Sequence, residues 1–199
     1  IRNKNKPIHM IAVFDDFIKD ENLLKEIADA GDGFFYPTGQ YTYWKGWWNN
    51  DPKNVKQRLI KYIWNDHLPV NIGGKLDGFE HWTGIQRGDQ DGRRNYLELH
   101  LDDDVAYREK TGNRIIPVLG CVYYPEGFEF EGGELLIYTD GEGEKPEVIK
   151  TRPNRLVIFS PGTVVHGVSE VTSGVRGAIA INAWDKEPWS VGQGHIILE

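Results

Sequence analysis

The chain carries two patterns of apolar and polar positions. Up to about residue 80, apolar side chains recur at helical spacing or gather in aromatic clusters; beyond it they alternate over short runs. Asp20 stands where it can cap a helix carrying Leu23, Leu24 and Ile27, which should end near Gly31. A second helix is expected from Asp51 as cap and Pro52 at the first helical position. It has Val55, Leu59, Ile60 and Ile63 along one side and a stop around His67, Leu68 and Pro69. Between the two lie Phe34, Phe35, Tyr36, Tyr41, Tyr43, Trp44, Trp47 and Trp48, interrupted by Gly and Pro, which read as loop with short strands.

Short strands are expected over 94–101, 115–124, 134–139, 147–151, 155–159, 164–168 and 175–184. Turn clusters separate them: Gly132-Gly133, the run 140–143, Pro153-Asn154 and Pro161-Gly162. Helices first and many short strands afterwards predict a mostly β fold with N-terminal helices and a double-sheet barrel core, a jelly roll or double-stranded β-helix of cupin type. The 199 residues suit one domain, with helical and aromatic support over about 1–80 and the barrel core over about 81–185.

Charge and cysteine content narrow the chemistry. A net charge of −7 argues against affinity drawn from a phosphate backbone, so no nucleic-acid partner is expected. Cys121 is the single cysteine, which excludes an internal disulfide and any cysteine-rich metal site. No apolar run reaches membrane-span length, and Ile1-Arg2-Asn3-Lys4 is not a signal peptide. A cytoplasmic, reducing setting is the expectation. The missing initiating Met suggests a trimmed or processed terminus.

Against this background one set of polar residues is unusual. Alternation puts Glu98, His100 and Asp102 on one strand face, with Leu97, Leu99 and Leu101 on the other, gripping the helical layer. Neighbours two apart lie side by side, so His100 and Asp102 can reach one metal ion. His166 shares its face with Val164 and Val168, an imidazole on an otherwise apolar strand. Two imidazoles and a carboxylate leave open positions on a metal, which suits non-haem Fe(II) oxygen chemistry. Arg176 has Ala178, Ala180 and Asn182 on its face, while Val175, Ile179 and Ile181 pack on the other. Two alanines leave room for a small molecule, and the guanidinium fork matches a carboxylate. Asp103 and Asp104 compete for the carboxylate role, with strand geometry favouring Asp102. Glu98 reads as a rim residue paired with Arg93 or Arg94.

The stretch from Trp82 to Asp185 resembles the 2-oxoglutarate- and Fe(II)-dependent oxygenases, particularly their prolyl 4-hydroxylase-like branch. The matching residues are His100-Leu101-Asp102, Cys121-Val122-Tyr123-Tyr124, Gly132-Gly133-Glu134-Leu135, Phe159-Ser160-Pro161 with His166, and Arg176. The resemblance implies that His100, Asp102 and His166 would hold Fe(II), which 2-oxoglutarate chelates. Arg176 would bind the far carboxylate of 2-oxoglutarate, and Tyr124 would donate a hydrogen bond to it. O2 would be the oxidant, with ascorbate a candidate reductant. This chain departs from relatives that carry Lys at the Arg176 position, Tyr at Gln86 and Trp at Asn182.

The activity so implied couples decarboxylation of 2-oxoglutarate to succinate and carbon dioxide with hydroxylation of an unactivated C–H bond, the metal centre carrying the chemistry. A prolyl or similar residue of a peptide or protein is the leading substrate, and a free amino acid or small metabolite the alternative. The segments 36–48 and 107–114 are candidate groove walls, although most of those aromatics read rather as plain packing against the barrel. A non-catalytic jelly-roll module that binds a metal or ligand is the alternative of another class.

Overall fold

A computed structural model describes residues 10–64, 75–89, 95–139 and 145–199. Its elements begin with β1 (Ile11–Phe14), α1 (Glu21–Ala30), a 3-10 turn (Gly31–Phe35), β2 (Tyr41–Lys45), α2 (Val55–Trp64) and β3 (Gly78–Arg87). Next come β4 (Leu97–His100), α3 (Val105–Thr111), β5 (Leu119–Tyr124), β6 (Phe130–Gly132), β7 (Leu135–Tyr138) and β8 (Glu147–Ile149). The chain closes with β9 (Arg155–Phe159), β10 (Val165–Val168), β11 (Val171–Trp184) and β12 (Ile196–Leu198).

Asp20 caps α1 as expected, its carboxylate accepting from the amides of Asn22 and Leu23 at 2.9 and 3.2 Å. In α2 the cap is Asn54 and not Asp51. Asn54 Oδ1 accepts from Gln57 N at 2.9 Å, and Gln57 Oε1 in return accepts from Lys53 N at 2.7 Å. This reciprocal arrangement satisfies two amides that Asp51, a turn further out, leaves open. The stop at His67–Pro69, the turn at 140–143 and the arginines at 93 and 94 lie outside the described residues.

The strands form two sheets among the described residues. The larger runs β1-β9-β5-β11-β3-β2-β12, with β6 on the end of β11; the smaller runs β4-β10-β7-β8. Every pairing is antiparallel except β12 with β2. The sheets meet across a cluster that joins Tyr124, Val157, Phe159 and Ala178 of the larger to Leu135, Ile137 and Ile149 of the smaller. Strand alternation sends Cys121, Tyr123, Ile158, Ile179 and Ile181 to the opposite face of the large sheet, where Leu59, Ile60 and Ile63 of α2 cover them. The result is the mostly β, jelly-roll core that the strand pattern predicts, with the early helices as its outer support.

Two strand readings change. β4 stops at His100, before Asp102. Its leucines do not grip the helical layer: Leu97 and Leu99 are 45% and 41% exposed, because β4 belongs to the small sheet while the helices back the large one. Segment 107–114 is no plain loop either, since most of it lies in α3, whose cap Asp104 accepts from Tyr107 N at 3.1 Å. Of the aromatic stretch, Phe34, Phe35, Tyr43 and Trp44 are buried as core.

Candidate metal centre

β4 and β10 run antiparallel with His100 and His166 directly opposite each other. The rings lie 4.2 Å apart between centroids. Each ring is oriented by a backbone carbonyl two residues earlier. His100 Nδ1 is 2.8 Å from Glu98 O, and His166 Nδ1 is 3.1 Å from Val164 O. An Nδ1–H donated to a carbonyl orients the ring with Nε2 aimed inward, where its lone pair becomes available to a metal once Nε2 is deprotonated.

Asp102 reaches the same point from a turn and not from the strand. Its backbone N–H donates to Pro161 O at 2.9 Å, which pins the turn. Asp102 Oδ1 then lies 3.4 Å from His100 Nε2 and 3.7 Å from His166 Nε2. One ligand atom from each of the three residues falls within 4.8 Å of the others, a spacing that one cation can bridge. The neighbouring acids are engaged elsewhere. Asp103 accepts from Arg108 Nε at 2.8 Å and Arg114 Nε at 2.7 Å. Asp104 caps α3 and accepts from Ser190 N at 3.1 Å. Glu98 contributes the backbone carbonyl that orients His100.

Burial opposes a charge on Asp102, but hydrogen bonding to His100 and Asn182 and the nearby His166 outweigh it and hold the carboxyl below its usual range. Burial also pulls both imidazoles down. It prevails at His166, whereas Asp102 and the Glu98 carbonyl lift His100 above its ordinary value.

Asn182 is the residue whose part sequence reasoning left open. Its Nδ2 donates to Asp102 Oδ2 at 2.9 Å, leaving Oδ1 to face the imidazoles. β5 supports this placement, since a Cβ on Gly120 would come within 2.6 Å of Asn182 Oδ1. Same-face parity with Arg176 was the signal that could have found it. Asn182→Ala is expected to weaken divalent-metal affinity about 10–100-fold, the usual cost of losing a partner behind a ligand. A metal titration monitored by competition with a chelating dye checks this, and unchanged affinity would contradict it.

The triad opens on a cavity of about 300 Å³ that also takes in Arg176, Ala178 and Ala180, as the face of β11 predicts. Arg176 is 4% exposed. Its Nε donates to Gly133 O at 2.9 Å, Nη1 to Gln86 Oε1 at 2.6 Å and Nη2 to the Tyr124 hydroxyl at 3.4 Å. Gln86 is thus the cross-strand partner of Arg176, set opposite it in the β3–β11 register. Tyr124 sits behind the guanidinium, with Arg176 Cζ 5.2 Å from its ring centroid. On the far wall Tyr41 and Trp82 stack with centroids 4.8 Å apart.

Next to Trp82 on the same strand face, Glu80 is buried and accepts from Trp184 Nε1 at 3.1 Å. Burial, then the charge of Asp102, pushes its carboxyl up to about 8. Its folded value lies above its unfolded one, so across this interval the folded chain keeps a proton that the unfolded chain has released. Glu80 therefore lowers stability progressively as pH rises from about 5 to about 8. Glu80→Gln is expected to flatten that decline in the metal-free protein. Urea midpoints at the two ends of the range check it, and an unaltered slope in the variant would contradict it.

The family model of the 2OG-Fe(II) oxygenase superfamily matches residues 85–184, which hold the triad, Arg176 and Asn182. The chain belongs to this superfamily. An oxygenase of this superfamily is an oxidoreductase, and membership implies Fe(II) and 2-oxoglutarate. The residues fit both. Two neutral imidazoles and a carboxylate are suitable donors for Fe(II), and a buried guanidinium in the same cavity matches an anionic co-substrate.

Similar solved structures include a prolyl-4-hydroxylase from Pseudomonas putida, with 16% identity, a TM-score of 0.58 and coverage of 90% of each chain. A prolyl hydroxylase from Trichoplax adhaerens, in complex with a hypoxia inducible factor peptide fragment, has 16% identity and a TM-score of 0.52, over 88% of this chain and 83% of that one. The viral collagen prolyl hydroxylase of Paramecium Bursaria Chlorella virus-1, in its 2OG complex, has 14% identity and a TM-score of 0.52, over 89% and 96%. At these identities the likeness is one of fold. No curated protein sequence matches the chain. Among the described residues no helix is long and apolar enough to cross a membrane.

Proposed function

We propose that this oxygenase hydroxylates an unactivated C–H bond of a prolyl or similar residue in a peptide or protein. Substrate, O2 and 2-oxoglutarate would give hydroxylated product, succinate and carbon dioxide, one oxygen atom entering the product and the other the succinate. The observation that carries the reading is the convergence of His100, Asp102 and His166 on one point of a cavity whose other end is Arg176. The prolyl preference draws its support from the shared fold of the hydroxylases above and from the tyrosine pair at 123–124.

In this reading His100, Asp102 and His166 hold Fe(II), which supplies the redox chemistry of oxygen activation. The chain's own residues do the rest. Asn182 turns Asp102 so that Oδ1 faces the imidazoles, and the Glu98 and Val164 carbonyls hold each Nδ1 so that Nε2 is the ligating atom, pointing inward. Arg176, held at three nitrogens, takes the far carboxylate of 2-oxoglutarate with Tyr124 at its back. Ala178 and Ala180 leave space for the carbon chain between guanidinium and metal.

The test is an incubation with Fe(II), ascorbate and 2-oxoglutarate, with and without proline-containing peptides and free amino acids. Succinate release that rises with one substrate, together with a mass gain of one oxygen on it, is the expected result. No succinate in any arm from folded, iron-loaded protein would overturn the enzyme reading in favour of a binding module. Oxygen gain on a free amino acid but not on peptides would move the substrate class to small metabolites.

A further inference from the structure

A second chamber, of about 320 Å³, shares His100, Asp102 and Asn182 with the first but leads to Arg108 and His195 in place of Arg176. If the Arg176 end takes the co-substrate, this chamber is the space left beside the metal for the molecule to be hydroxylated. Its side walls are apolar or aromatic, from Tyr41, Trp82, Val105 and Ile196. Glu80 also reaches it, but one of its carboxyl oxygens accepts from Trp184.

The polar feature that stands out is Arg108. Asp103, whose side chain is 4% exposed, is shared by two guanidinium groups through their Nε atoms, at 2.8 Å from Arg108 and 2.7 Å from Arg114. Arg114 also spends Nη2 on the carbonyls of Asp102 and Gly162, each at 3.3 Å. Arg108 does not: neither of its terminal nitrogens has a protein partner among the described residues. One carboxylate held between two arginines leaves a surplus positive charge. The Nε bond fixes the stem of Arg108, leaving the two-nitrogen edge of its guanidinium open. A planar fork of this kind matches a carboxylate in two-point geometry.

We propose that Arg108 recognises a carboxylate on the primary substrate, carried within one or two residues of the carbon that reacts. The size of the chamber sets that reach, since it lies near the lower end of roughly 300–1,000 Å³ for small-molecule sites. The inference rests on the oxygenase reading above. The carboxylate has two sources that share this chemistry: the α-carboxylate of a free amino acid, and an acidic side chain next to the target residue in a peptide.

Zn(II)-loaded protein saturated with 2-oxoglutarate, which cannot turn over, allows binding to be measured directly by calorimetry. The probes are the twenty free L-amino acids against their carboxamides, and doubly blocked Ala-Pro-Asp-Ala against blocked Ala-Pro-Asn-Ala. The expected result is at least one carboxylate probe binding ten-fold or more tighter than its neutral counterpart. Arg108→Gln should erase that preference with metal content and 2-oxoglutarate affinity unchanged. Which pair shows the preference names the source. If no carboxylate is preferred, or if the preference survives Arg108→Gln, the inference is overturned while the oxygenase reading stands. Failure of the protein to bind 2-oxoglutarate at all would overturn both.

Discussion

His166→Ala is expected to leave a folded protein that neither retains Fe(II) through desalting nor releases succinate. The imidazole is 6% exposed and faces His100 across the β4–β10 pairing, so no other described side chain stands ready to replace it. Loss of an outer partner costs roughly 10–100-fold in metal affinity, and loss of one of three ligands should exceed that. The ring also packs edge-on against Phe159, at 4.9 Å between centroids. Truncation therefore carries a packing cost of about 1–3 kcal/mol, set by how far the site collapses. The urea midpoint separates the two effects: a modest fall in stability with complete loss of metal is the expected pair. His166→Gln, closer in size, should restore much of the stability and little of the iron. Turnover at the parental rate in either variant would exclude His166 as a ligand.

The site was legible in the sequence for reasons of chemistry more than of geometry. An imidazole between two valines in an apolar strand is expensive unless it has a task, and Arg176 beside two alanines signals a cavity. Both readings rest on strand parity, and β10 and β11 keep that parity. For His100 and Asp102 the same reasoning named the pair that the structure brings together, but by a path the structure corrects, since β4 ends at His100 and the Pro161 carbonyl holds the turn that delivers Asp102. A turn fixed by a partner some sixty residues later leaves no local signal.

The least legible part was β3. Its two faces are both covered, Phe79, His81 and Thr83 being buried while Glu80, Trp82 and Gln86 line the cavities on the other side. Polar residues turned inward, because they form the wall of a site, erase the polar–apolar alternation by which a strand is read. α3 was hidden for a related reason. Its Asp104 cap looked like a rival metal ligand, and much of what holds that carboxylate comes from Trp189 and Ser190, far along the chain. Gln86 is a third case. As a departure from the Tyr of relatives it carried no assigned role, and only the β3–β11 register reveals it as the partner of Arg176.

That partnership shapes the second large effect. Arg176→Ala is expected to weaken 2-oxoglutarate binding by about 30-fold to several thousand-fold, which corresponds to the roughly 2–5 kcal/mol lost when one member of a buried, hydrogen-bonded charge pair is truncated. Fe(II) affinity should stay within about three-fold of the parent, because the bonds of Arg176 go to Gly133, Gln86 and Tyr124 and to none of the three ligands or Asn182. The KM for 2-oxoglutarate in the succinate assay and a metal titration without 2-oxoglutarate read the two quantities separately. Truncation also strands the Gln86 amide oxygen and the Gly133 carbonyl, each at about 1–3 kcal/mol. Some loss of stability will therefore accompany the binding defect. Arg176→Lys distinguishes charge from shape: an ammonium keeps the attraction but lacks the planar fork that reaches Gly133, Gln86 and a carboxylate together. It should fall between parent and alanine variant in 2-oxoglutarate affinity. A lysine variant no better than alanine would mean that the fixed geometry of the guanidinium, and not its charge, selects the co-substrate. Equal losses of iron and 2-oxoglutarate in Arg176→Ala would show that the cavity behaves as one unit and contradict the division of labour proposed for its two ends.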